Sequence, residues 1–288
     1  MIRRRSSGRN ARHSRIATVV YQEPFPFEGA ALLSRKTHSK LGWSRPKTFG
    51  YLDRCTALPF ILPEALSAAA FLPLALSSDA VPRPMIVLSR ASGLGSPFVQ
   101  DGRLFGRHYP SILRFYPFLP TRDLQTGKLA LAADLGGPFL LEHASDIATT
   151  PVFSPDAGLG EATTQHVAGI AEWASQRDKA LAAAQALKSA GILCPVSEEC
   201  ELWQTVDPVA LHALTASQSG KLHVSGALTL AHALITGAMH LPYLSEAIPD
   251  DFSPDGKDVM SFLTALAGST SDATIYLPEP SSNDRNST

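Results

Sequence analysis

The sequence predicts an α+β fold, with a small antiparallel or mixed sheet in the middle of the chain followed by a helical C-terminal part. Two patterns carry this prediction. Between Met85 and Phe153 the apolar residues come in runs of four or five separated by Gly, Pro and Asp, which is the length of strands rather than helices. From Glu161 onward Val167, Ile170, Ala174, Leu181, Ala184 and Leu187 recur at helical spacing, Ala is abundant, and Gly191 followed by Pro195 supplies a stop.

Ahead of the sheet, residues 48–76 form a proline-punctuated apolar segment. Pro63-Glu64 opens a helix there, because proline suits the first helical position and a carboxylate suits the positive end of the dipole; the helix runs to Leu72 and stops before Pro73. Strands are read at Met85-Ile86-Val87-Leu88, Ser96-Pro97-Phe98-Val99 and Lys128-Leu129-Ala130-Leu131-Ala132. Asp101-Gly102, between Phe98-Val99 and Leu104-Phe105, is a hairpin turn signal, and Gly136-Gly137-Pro138 punctuates again. In the helical part, Asp207-Pro208 marks a start with Asp as the cap, and Leu211 and Leu214 face inward. A further helix covers Ala227 to Met239 and ends before Pro242. The implied organisation is a basic, disordered arm and extended lead-in over 1–47, one α+β domain over 48–245, and a partly disordered extension over 246–288.

Composition excludes several classes. The chain has 288 residues, and a chain of this size buries roughly three quarters of its unfolded surface. Apolar residues make up 44% and charged residues 18%, which is not the signature of disorder. A net charge of -1 argues against a general polyanion binder, since phosphate neutralisation needs a basic face. Met1 to Arg15 is the exception, with six arginines and no acid. It reads either as a solvated tail or as a tether making weak contact with an anionic surface or nucleic acid. The apolar run Ile16 to Val20 is too short for a secretory core, and the most apolar stretch, Ala57 to Leu76, is broken by three prolines and Glu64, so no transmembrane segment is expected. Cys55, Cys194 and Cys200 are odd in number and lack a CxxC pair, which argues against a disulfide framework or structural zinc and for a cytoplasmic location.

Motifs for known chemistries are missing from the sequence. His212, His223, His232 and His240 fall in the C-terminal helices, but no two are spaced i, i+4 and there is no HExxH. Gly93-Leu94-Gly95 lacks the third glycine of a dinucleotide loop, and neither GxxxxGK[ST] nor GxSxG occurs. No catalytic residue, metal site or cofactor is assigned. Trp173 reads as core; Trp203 reads as half-exposed and suited to an interface.

The middle of the chain resembles the SapC family of bacterial proteins. The similarity begins at Pro63-Glu64, continues through Pro84-Met85-Ile86-Val87-Leu88 and Ser96 to Gly102, and culminates in Tyr109-Pro110-Ser111-Ile112-Leu113-Arg114-Phe115-Tyr116-Pro117-Phe118. Asp134, Gly191 to Pro195, Val206-Asp207 and Ala231-His232 follow the family pattern more weakly, and the resemblance covers Leu58 to Leu244. Leu104 stands where many relatives have Trp, and Phe115 replaces a second Arg. The resemblance implies a surface-layer-related protein whose relatives accompany uptake receptors and oxygenase-like or halogenase-like genes, and hence the handling of a peptide or small metabolite.

The signature segment sets two Tyr, two Pro and two Phe around Arg114. A guanidinium among apolar neighbours needs its donors used. Arg114 therefore either grips a carboxylate or phosphate of a ligand, or pairs with Asp101, Asp123 or Asp134 to lock the fold. Candidate ligand-binding residues are Asp101, His108, Tyr109, Arg114 and Tyr116. The function read from the sequence is a non-enzymatic, SapC-like binding or accessory protein for a protein segment, peptide or small acidic ligand. The alternative is an enzyme whose site assembles from His108, Asp101, Asp134 and Tyr116; a third option is a structural surface component.

Overall fold

The computed structural model describes residues 27, 29–89, 95–104, 107–123, 127–141, 149–156, 158–197 and 202–244. Regular structure begins within the stretch read as an extended lead-in: β1 (Ala30–Leu32), the short helix α1 (Arg35–His38) and β2 (Gly42–Trp43) precede a 3₁₀ turn at Gly50–Arg54. Next come β3 (Ala57–Pro59), a 3₁₀ turn at Leu62–Glu64 leading into α2 (Ala65–Ala69), β4 (Leu74–Ser77) and β5 (Pro84–Val87). The start at Pro63-Glu64 lies where the sequence places it, as a 3₁₀ turn leading into α2, but the helix ends at Ala69 and not at the expected Leu72. The Glu64 carboxylate does more than meet a dipole, however, because its Oε1 accepts the Ile61 N–H at 3.1 Å.

The predicted turn at Asp101-Gly102 joins β6 (Val99–Gln100) to β7 (Arg103–Leu104). Asp101 has φ 51° and Gly102 φ 69°, the paired left-handed conformation that matches the twist of a two-residue hairpin. A 3₁₀ turn at Ser111–Phe115 is followed by β8 (Phe118–Arg122), β9 (Leu129–Asp134), β10 (Leu140–Leu141) and β11 (Thr150–Pro151). The helical run expected from Glu161 divides into α3 (Glu161–His166) and α4 (Ile170–Ser189), because Gly169 turns the chain at φ 86°. After β12 (Leu193–Pro195) and β13 (Trp203–Val206) come α5 (Pro208–His212), α6 (Ala216–Val224), α7 (Ala227–Ala238) and a 3₁₀ turn at Leu241–Leu244. Asp207 caps α5 as expected, accepting the Val209 N–H at 2.8 Å. The sequence reading missed α6, whose start is a reciprocal cap: Gln218 N–H donates to the Thr215 hydroxyl at 3.3 Å and Thr215 N–H to Gln218 Oε1 at 2.9 Å.

Every strand pair is antiparallel, but the strands form several sheets. One sheet has the order β12-β13-β4-β5-β3, a second β1-β9-β8 and a third β10-β2-β11, beside the β6-β7 hairpin. The strands read at Met85 to Leu88 and Lys128 to Ala132 thus lie in different sheets, with partners drawn from both ends of the chain, whereas of the run read at Ser96 to Val99 only Val99 is strand, Pro97 and Phe98 forming a turn. Against the five-stranded sheet packs α7, through Leu230, Ala231 and Leu234, and α2 packs on α7 through Ala65, Ala68 and Ala69, all buried, while α4 adds Ala180, Ala183, Ala184 and Leu187. Small residues let these helices approach closely: a Cβ on Gly237 would lie 2.6 Å from Leu74 Cβ. Arg177 of α4 is buried in this layer and donates to the carbonyls of Phe60 and Pro84, each at 2.7 Å, tying helix to sheet. No helix among the described residues is long and apolar enough to cross a membrane. Cys55 and Cys194 are free thiols.

Candidate functional site

The 3₁₀ turn of the signature segment sorts its side chains to two sides. Ile112, Leu113 and Phe115 turn into the core, while Arg114 points to solvent. Tyr116 follows, buried, and its hydroxyl donates to Asp134 Oδ2 at 2.6 Å. Asp134, at the end of β9, is 0% exposed and also accepts from Arg54 Nη1 at 2.8 Å and Nη2 at 3.3 Å. Tyr51 stacks on Tyr116 with ring centroids 3.9 Å apart and planes 12° from parallel, and Phe27 and Phe139 close around the pair. Burial raises the Tyr116 phenol above its ordinary pKa, and the bond to Asp134 and that residue's charge add to the effect, so the hydroxyl stays protonated and donating. Glycine is required beside it, since a Cβ on Gly137 would fall 2.5 Å from Asp134 Oδ2 and 2.6 Å from Tyr116 Oη. Removing the carboxylate from this triad would leave a buried hydroxyl without its partner.

A second buried acid pins the start of the same segment. Glu64 Oε2 accepts the Ser111 N–H at 2.8 Å and Glu64 Oε1 accepts the Ser111 hydroxyl, also at 2.8 Å. Trp173 Nε1 of α4 donates to Ser111 Oγ at 2.8 Å. His108 lies alongside, its Nε2 3.5 Å from Glu64 Oε2 and its Nδ1 3.2 Å from Ser67 Oγ.

Between these two anchors the segment faces a groove of about 320 Å³, whose walls include Arg45, Tyr109, Arg114, Phe115, Gln165 and His166. The Arg114 guanidinium lies 5.1 Å from the Phe115 ring centroid, a cation–π contact. Among the described residues it meets no carboxylate. Tyr109 is 46% exposed and packs against Phe49, ring centroids 5.4 Å apart. His166 is placed by the end of α3, with its ring 4.3 Å from Trp43 and its Nε2–H donating to the Tyr116 carbonyl at 3.1 Å. Burial lowers its pKa, the neighbouring Arg45 lowers it further, and the carbonyls of Tyr116 and Phe115 oppose. The groove is therefore cationic, and among the described residues no acid stands in its walls.

The SapC family model matches residues 33–244. The chain belongs to the SapC family. No curated protein and no solved structure matches it. The SapC match begins upstream of Leu58, so β2 and Arg45 lie within the family region, as do the two buried anchors and the whole groove.

Within this SapC fold the predicted site residues separate. Tyr109 and Arg114 line the groove, and Tyr116 lies beneath it in the buried triad. His108 turns toward Glu64 and Ser67, and Asp101 occupies the exposed hairpin turn. Of the four residues of the enzyme alternative, Tyr116 and Asp134 hydrogen-bond each other, while neither His108 nor Asp101 bonds to either among the described residues. The acids named as structural partners for Arg114 do not pair with it; Asp134 takes Arg54 instead. Arg45, Gln165 and His166 were not singled out from the sequence, which gives no local signal that residues so far apart share one wall. Among the described residues no group of three or more His, Cys, Asp or Glu side chains could hold a metal ion.

Proposed function

We propose that this SapC protein is a binding or accessory protein that receives an acidic ligand, a peptide or a small acid, in the groove beside Arg114. The supporting observation is the state of Arg114: an exposed guanidinium, held over Phe115, with no acid of its own among the described residues. A planar fork in that state matches an incoming carboxylate. The two buried anchors on either side hold the segment rigid, so little ordering entropy is lost on binding. Family membership supports the companion reading of a surface-layer-related or peptide-handling role.

The experiment is Arg114→Ala, with a panel of acidic peptides and small acids screened against it and the parent by thermal shift and titration. Because the side chain is exposed, the variant is expected to fold with a stability change within about 0.5 kcal/mol. Acidic ligands of the parent are expected to lose at least about tenfold in affinity. An Arg114→Ala protein that unfolds, or that binds every ligand of the parent unchanged, sinks the proposal.

A further inference from the structure

The groove holds a second guanidinium, and we infer that its ligand carries two carboxylates, one for Arg114 and one for Arg45. This rests on the acidic-ligand reading above and narrows it to a class. Arg45 follows β2 and reaches the same groove from a different part of the chain, exposed as Arg114 is. Neither makes an ion pair among the described residues. Two like charges facing one cleft repel each other, and no acid among the described residues of its walls offsets them. The other polar walls are the Tyr109 hydroxyl, the Gln165 amide and His166, which burial and Arg45 itself push toward the neutral form. A ligand with two negative charges would relieve that repulsion.

One carboxylate fills one guanidinium fork; the second fork calls for a second. The energetics point the same way. A single exposed pair is weak in water, whereas two pairs in one cleft share a single loss of translational freedom. A volume of about 320 Å³ suits a short diacid or two adjacent acidic side chains of a peptide. α3 reaches the groove with its last residues, Gln165 and His166, so the groove lacks the helix N–H end that many phosphate sites use.

The test is calorimetric titration of the full chain at constant ionic strength with acetate, succinate, inorganic phosphate, a blocked Glu-Glu dipeptide and its Glu-Gln counterpart. The parent, Arg45→Ala and Arg114→Ala are compared, with circular dichroism confirming that each variant folds. Succinate or the Glu-Glu dipeptide is expected to bind the parent at least about tenfold more tightly than its monoacid counterpart. Which of the two does so identifies the source as a free acid or a peptide. Arg45→Ala should abolish that ratio while leaving residual monoacid binding; Arg114→Ala should abolish both. Diacids no better than monoacids, an unchanged ratio in Arg45→Ala, phosphate as the preferred probe, or no binding by any probe overturns the two-carboxylate inference. Unchanged binding in Arg114→Ala overturns the acidic-ligand reading as well.

Discussion

Replacing Asp134 by Ala removes the shared acceptor of the Tyr116 and Arg54 donors from a site that is 0% exposed. The two donors do not suffer equally. The Tyr116 hydroxyl, on a residue 1% exposed, is left without its acceptor, at a cost of roughly 1.5–3 kcal/mol for a bond to a charged group. The Arg54 side chain is 35% exposed and regains water, so its share is nearer 0.2–1 kcal/mol. Their sum is about 2–4 kcal/mol, which lowers the melting temperature of a domain of this size by roughly 5–15 °C. Tyr116→Phe alone should cost about 1.5–3 kcal/mol, because it strips a donor from a buried carboxylate. The double variant should then be far less destabilised than the two singles added, with a coupling of roughly 1.5–2.5 kcal/mol in a denaturant-unfolding cycle. Additivity within about 0.5 kcal/mol would show that the short bond has little energetic weight and would refute this account of the anchor.

Further expectations follow from neighbouring groups. Gly137→Ala should destabilise by about 1–3 kcal/mol, because its Cβ would meet Asp134 and Tyr116, while Gly50→Ala, with nothing within 4 Å, should be near neutral; equal melting points for both would contradict the close approach. Glu64→Gln turns one amide N–H toward donors that now bond a carboxylate, and should cost roughly 2–3 kcal/mol in urea unfolding. A loss under about 0.5 kcal/mol would mean that the signature segment is held elsewhere. Acid stability can be signed from His166 and His240, whose pKa values burial lowers, the latter while bonded to the Ala69 carbonyl at 3.0 Å. Below their ordinary value of about 6.5 the unfolded chain takes up protons that the folded chain refuses, so stability is full above that pH and declines as pH falls through the lowered values. The pair His166→Gln and His240→Gln should flatten that decline between about pH 7 and 5 in denaturant titrations; an unchanged slope assigns it to other groups.

The sequence shows best what is decided locally. The Asp101-Gly102 turn and the Asp207-Pro208 start each depend on the conformation of two or three adjacent residues, and each is found where it was read, whereas the helix expected to run to Leu72 ends at Ala69. The α6 start was equally local, in the Thr215 and Gln218 pair, and was passed over because few apolar residues follow it: of Ala216–Val224 the one buried side chain is Leu222. Strand partners were not legible, since a short apolar run is compatible with many neighbours and the choice is made by packing across the domain. The candidate site divides in the same way. Arg114 and Tyr109 announced themselves through an aromatic and proline-rich segment, whereas Arg45 and His166 enter the groove from separate elements. Glu64 was read as a helix-end charge, and its bonds to Ser111 required the fold to bring the two residues together.

The weaving of the sheets bears on how quickly the native state can be reached. Gln204 pairs with Leu76, and Ala30 with Asp134, so two of the sheets are sealed by contacts that span more than a hundred residues of chain. Loops of that length must close before their pairings yield any stabilisation, a topology of high contact order whose folding is slow compared with a helical protein of equal size. During synthesis β1 emerges long before its partner, and β4, though β5 follows closely, keeps its other edge open, so both present an exposed edge to other chains until β9 and β13 arrive.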